Sequence, residues 1–266
     1  MIDVFIAEFY KFRGMFKRYY IDSISEIISY LILFVGLTFT IVSTTTTTQN
    51  MLLQLVIGIF IWYIGINAIA IFSFILQEEM QLGTLEQIYL TQTRLSQMLL
   101  GRAIGSFVFD AIGGVILSSL TMIVITMLGS NIPFQLHDLR QLFDLRLIII
   151  LIMTMIGIYG FSFILAGLSI IFKRISAISV ILNYIFLFFT GLLLTDKTLP
   201  PLLDVFSKIL PITWGIINIK DLLNENLHIT HLIMLIVHSA IYLILGLLIF
   251  HYCSYIARKK GTFNHY

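Results

Sequence analysis

Apolar residues fall into six long blocks, at 24–42, 51–76, 103–128, 147–172, 175–194 and 231–252. At 1.5 Å per helical residue, each block crosses a hydrocarbon core of about 30 Å. The sharpest interruption lies between the second and third blocks, at 77–102, where Glu78, Glu79, Glu86, Arg94 and Arg102 gather. Lipid cannot solvate such a segment, so it is expected outside the hydrocarbon. It is also patterned. Gly83 breaks the helix leaving the second block, and Thr84 and Gln87 suit the N-cap and third position of a new one. Leu85, Ile88 and Tyr89 then form an apolar stripe on a short helix with acids at its front. A plain connector needs only a few residues, so this stretch reads as a docking surface for a soluble partner.

Two other regions depart from the block pattern. Ahead of the first block, Phe5, Phe9, Phe12, Phe16 and Tyr19 recur at helical spacing, with Lys11, Arg13, Lys17 and Arg18 on the other side. This predicts an amphipathic helix in the membrane interface over 1–22. The same pattern suits a simple juxtamembrane anchor. Ser23-Ile24-Ser25-Glu26 fits a capping box opening the first span. Between the fifth and sixth blocks, 195–230 carries Pro200, Pro201, Pro211 and Trp214 among apolar residues. Proline breaks this stretch into two short amphipathic helices, expected to dip into the outer interface.

Composition agrees with the blocks: 59% of residues are hydrophobic and 11% are charged, too few polar residues to cover a soluble surface. The fold class is therefore all-α, a polytopic membrane protein forming one transmembrane domain over 1–266. The net charge of +2 gives no reason to expect a nucleic-acid partner. The single cysteine, Cys253, excludes an internal disulfide. No apolar core followed by a small-residue cleavage site opens the chain, so no cleavable signal peptide is expected. Lys11, Arg13, Lys17, Arg18, Arg94, Arg102, Lys173, Arg174, Arg258, Lys259 and Lys260 fall on one side of the six-block topology. Arg140, Arg146, Lys197, Lys208 and Lys220 fall on the other. The positive-inside rule puts both termini and 77–102 in the cytoplasm.

Polar residues inside the blocks are candidate chemistry. Asp110 is a lone intramembrane carboxylate, readable as a pathway or interface residue or as a structural hydrogen-bond acceptor. Asn67 and Asn183 suit bridging between helices, and Gly101 with Gly105 suits close helix approach. His228, His231 and His238 are joined by no acid or cysteine that completes a metal site, and read as interface histidines. No Gly-Lys pair occurs, so a P-loop is excluded from the chain. His-Glu-x-x-His and Gly-x-Ser-x-Gly are missing too, which weakens an intramembrane enzyme.

Glu79-Met80-Gln81-Leu82-Gly83-Thr84-Leu85-Glu86, followed by Leu99-Leu100-Gly101-Arg102, resembles the cytoplasmic signature of type-2 ATP-binding-cassette (ABC) exporter permeases. That family shows an acid, then Gly-Thr-Leu-Glu, then Leu-Leu-Gly-Lys/Arg leading into the third span. The resemblance runs over the whole chain, with one departure: Gln92 stands where members often carry proline. It implies that Glu78, Glu79, Gly83, Thr84, Leu85 and Glu86 contact a separate ABC ATPase, in two copies, which binds the ATP and Mg that this chain does not. It implies an outward-moving drug, peptide-antibiotic or lipid-like cargo and a cell-membrane location. It also implies a homodimer or a second permease subunit, with Pro200, Pro201, Pro211 and Trp214 near an extracellular gate. An ion-coupled secondary carrier is the rival reading. Such carriers place several ionisable groups near the midplane, where this sequence offers Asp110.

Overall fold

The computed structural model describes residues 2–44, 49–90, 95–128, 144–172, 176–189 and 200–260. Positions 45–48, Arg94, Arg140, Lys173, Arg174, Lys197 and positions 190–194 of the fifth block lie outside the described residues. Ten helices, and no strand, occur among those described. They are α1 (Ile2–Arg18), α2 (Tyr20–Thr44), α3 (Gln49–Gln81), α4 (Leu85–Leu90), α5 (Leu95–Met127), α6 (Leu145–Phe172), α7 (Ser176–Phe189), α8 (Pro201–Ile209), α9 (Pro211–Leu223) and α10 (Ile229–Lys260).

Five of these (α2, α3, α5, α6 and α10) are long and apolar enough to cross a membrane, and α8 with α9 makes a sixth candidate bent by 104°. The all-α polytopic reading holds. The fifth block is represented by the 14 residues of α7, about 21 Å of helix.

Several boundaries differ from those the sequence suggests. α3 and α5 have 33 residues each, about 50 Å, so each overshoots a 30 Å core. Half of the polar segment 77–102 is therefore helix end, 77–81 of α3 and 95–102 of α5. Asp110 stands 15 residues beyond the first residue of α5, rather than the seven that a helix starting at 103 implies. α2 begins at Tyr20, with Ser23 N–H donating to Tyr19 O at 3.2 Å. Ser23 is already inside the helix, so the capping box does not form and Glu26 is released from that duty. α6 has a real cap: Asp144 Oδ1 accepts the Arg146 N–H at 2.9 Å, the side-chain bond of an N-cap.

α3 is the most buried span and packs against α5, α6, α7 and α9. α6 and α10 form the closest pair. A Cβ on Gly160 would stand 2.4 Å from Leu243 N, and one on Gly246 would stand 2.0 Å from Gly160 O. In lipid, burial of apolar surface gives helices no reason to associate. Close contact and interhelical hydrogen bonds supply it. Here Ser239 Oγ donates to Met153 O at 2.8 Å, Ser162 Oγ to Ala68 O at 2.6 Å and Tyr159 OH to Ala103 O at 3.1 Å. These tie α10 to α6, α6 to α3 and α6 to α5.

Candidate functional site

The chain leaves α3 through a glycine turn. Gly83 has φ +69°, a left-handed conformation that costs glycine nothing. Gly83 N–H donates to Met80 O at 3.2 Å and Thr84 N–H to Glu79 O at 3.0 Å, the two bonds of a Schellman motif. α4 starts at once: Thr84 O accepts the Ile88 N–H at 3.1 Å. Thr84 thus stands at the N-cap, but its hydroxyl does not turn forward as a capping box requires. It points back to the Glu79 side chain.

Glu79 is 6% exposed, and its carboxylate gathers partners from three other elements. Lys11 Nζ of α1 lies 3.2 Å from Oε1, Arg102 Nη2 of α5 lies 3.5 Å from Oε1, and the Thr84 hydroxyl donates to Oε2. Beside this network Leu85 is 1% exposed, packed among Phe72, Leu76, Met80, Leu99 and Ala103. Glu78 is half-buried and its carbonyl accepts the Leu82 N–H at 2.9 Å. Gln81, Leu82, Gly83, Gln87 and Leu90 are exposed. Glu86 lies in α4. Its side chain, like that of Tyr89, is outside the described residues. The corner therefore has a buried, ionic inner face and an exposed outer face that includes Leu82 and Leu90.

Lys11 and Arg102 are the residues that sequence reasoning left out of this site. Their charges were visible, but only packing of α1 and α5 onto α3 shows that both serve Glu79. The meeting of α1 with α5 has a sequence signal in the small pair Gly101 and Gly105. Phe9 backbone atoms pass within 3.9 Å of a Cβ built on Gly105, and the Phe9 and Phe109 rings are 5.5 Å apart.

The other candidate residues lie elsewhere. Asp110 is joined to Asn67, whose Nδ2 donates to Oδ1 at 3.3 Å, so Asn67 bridges α3 and α5 as expected. The buried Oδ1 of Asn183 has no partner, and no such bridge forms there. At the opposite end of the bundle, Pro200 caps α8, Pro201 opens it and Pro211 opens α9. These are positions where a missing N–H costs nothing. Trp214 Nε1 donates across the bend to Lys208 O at 3.0 Å, and Thr213 Oγ1 to Ser207 O at 2.6 Å. α9 does more than dip into an interface. Pro211 to Ile216, Asn218 and Ile219 are buried where α9 packs against α6, α10 and α3. Of the histidines, His231 gains an acid partner that the sequence reading did not assign, with its Nδ1 2.6 Å from Asp221 Oδ2.

The model of the ABC-2 type transporter family matches residues 8–223, a span that holds α3, the Gly83 turn, α4, α5 and the proline-broken pair. No curated protein matches the chain. With its set of membrane-crossing helices and its match over most of its length, the chain belongs to the ABC-2 type transporter family, as a multi-pass permease subunit of an ABC transporter.

Proposed function

We propose that this permease works as an exporter. ATP hydrolysed on two copies of a separate ABC ATPase would drive the spans through α4 and the Gly83 turn, moving a drug, peptide-antibiotic or lipid-like cargo outward. The observation that carries this reading is the Glu79 network. An outer face bearing Leu82 and Leu90 offers apolar contact to a soluble subunit, and a push on it cannot be absorbed locally. Leu85 is wedged into the bundle, and Glu79 is held by α1, α5 and the turn. Displacement of α4 is therefore transmitted to three helices together.

The permease would act as a homodimer or with a second permease, with both termini in the cytoplasm of a cell-membrane protein. α1 would rest in the membrane interface. The proline-broken pair, with Trp214 pinning its bend, would stand at the extracellular exit. ATP and Mg would bind to the partner. The test is purification of the full chain with candidate ATPases encoded beside it, followed by transport in membrane vesicles. Co-purification that is lost in Leu82→Asp with Leu90→Asp, while insertion is kept, is the expected result. Failure of every ATPase to co-purify, with efflux indifferent to ATP depletion, overturns the reading.

A further inference from the structure

Two acids, Glu26 and Asp110, stand in membrane-crossing helices and, among the described residues, have no ion-pair partner. Asp110 lies on α5, about 12 Å along the helix axis beyond Arg102. Its Oδ1 holds the Asn67 amide, while its Oδ2 is shut off from solvent and has no hydrogen-bond partner. Glu26 lies on the exposed side of α2, one helical turn before Tyr30, whose ring meets that of Tyr63 on α3. Among the described residues no ion pair reaches either acid. Lys11 and Arg102 are turned to Glu79, and α2 and α3 contain no lysine, arginine or histidine.

An unpaired carboxylate in a low-dielectric site is costly, and a second acid nearby raises the cost. A positive group between them relieves both. The surroundings suit an organic cation. Tyr30 meets Tyr63 at 5.8 Å and Trp62 at 5.3 Å between ring centroids, and aromatic faces attract cations through their quadrupole. Gly113 makes room for the Tyr63 ring, since a Cβ there would be 2.9 Å from the Tyr63 hydroxyl oxygen. A hard metal ion asks for six or more oxygen ligands. Among the described residues no group of three or more His, Cys, Asp or Glu side chains is gathered to hold one.

We propose that Glu26, Tyr30, Tyr63, Asn67 and Asp110 form a binding site for the positive group of a lipophilic organic cation, and that such cations are cargo. Glu26, at the exposed edge, draws the cation in, and Asp110 Oδ2 receives it. The cargo half of this rests on the exporter reading, and the binding half does not.

The test is equilibrium binding of radiolabelled tetraphenylphosphonium, a cation that cannot lose a proton, to the full chain in lipid nanodiscs without any ATPase. Saturable binding is expected, weakened at least tenfold in Asp110→Asn and several-fold in Glu26→Gln. Neutral tetraphenylmethane should not displace the probe. Should Asp110→Asn fail to fold, Glu26→Gln, at an exposed position, decides the matter together with the neutral competitor. Binding unchanged in these variants, equal displacement by the neutral compound, or no saturable binding each overturns the site. An Asp110 carboxylic-acid infrared band persisting at neutral pH with saturating probe would also overturn it, by showing a neutral structural acid. Co-purifying ATPase with unchanged probe binding in the variants would sink the cation site and leave the exporter reading intact. Acid-dependent binding without any ATPase partner would do the reverse.

Discussion

Replacing Glu79 by glutamine keeps the shape of the side chain and removes its charge. The two cations around it differ in their surroundings. Arg102 is 6% exposed at its side chain and Lys11 is 49% exposed. Taking one partner out of a buried ion pair costs about 3–5 kcal/mol, because the remaining charge stays in a low-dielectric site. A half-exposed pair is screened by water and contributes about 0–1 kcal/mol. The 3.5 Å separation from Arg102 is long for an ion pair, so Glu79→Gln is expected near the lower end, about 3 kcal/mol. Arg102→Met should lose a similar amount and Lys11→Met less than about 1 kcal/mol. The double variant Glu79→Gln, Arg102→Met should lose less than the two singles together, with a coupling of about 1–3 kcal/mol. The assay is reversible unfolding of the full chain in mixed detergent micelles, run as a double-mutant cycle. Additive singles, or Glu79→Gln no worse than Lys11→Met, would refute the argument that a buried charge pair ties α3 to α5.

Three further outcomes follow from local geometry. Gly160→Ala should destabilise by more than about 2 kcal/mol, because its methyl would meet the α10 backbone and overpacking of that kind costs about 1–3 kcal/mol or more. Gly36→Ala, where nothing lies within 4 Å, should be neutral or gain up to about 1 kcal/mol, and the same unfolding assay compares the two. Gly83→Ala forces a side chain into the left-handed region at about 1–2 kcal/mol. It should reduce ATP-driven efflux more than it reduces expression, as measured in vesicles normalised to protein. Trp214→Phe keeps an aromatic ring but removes the hydrogen bond to Lys208 O. It should cost about 1 kcal/mol and show as faster proteolysis within 201–223.

The legible parts of this protein were those set by local chemistry. The apolar blocks appeared as α2, α3, α5, α6 and α10. The glycine stop at Gly83, the start of α4 and the two proline-opened helices were readable because each depends on a few consecutive residues. The less legible parts depended on partners distant in sequence. Ser23 and Glu26 had the spacing of a cap, yet α2 continued back to Tyr20 and passed through them. The Gly160 and Gly246 approach is tighter than that at Gly105, but its partners are 86 residues apart along the chain, beyond any spacing rule within one helix. Asp221 and His231 likewise meet only because α9 folds back against α10.

The sequence by itself determined that the chain is helical, that it lives in a membrane and that Gln77 to Arg102 is its polar interruption. Too few polar residues exist to face water, and lipid tolerates only helices or closed barrels, whose backbone groups are all paired. Tertiary structure decided what that interruption is made of. Among the described residues it is the end of α3, the Gly83 turn, the short helix α4 and the start of α5, held where a carboxylate of α3 finds cations on α1 and α5. Tertiary structure also decided which charges are paired. Lys11 and Arg102 go to Glu79, while among the described residues no ion pair reaches Glu26 or Asp110. Pairing is a property of distance in space, and a membrane core, where an unmet charge is most costly, makes that distinction matter most.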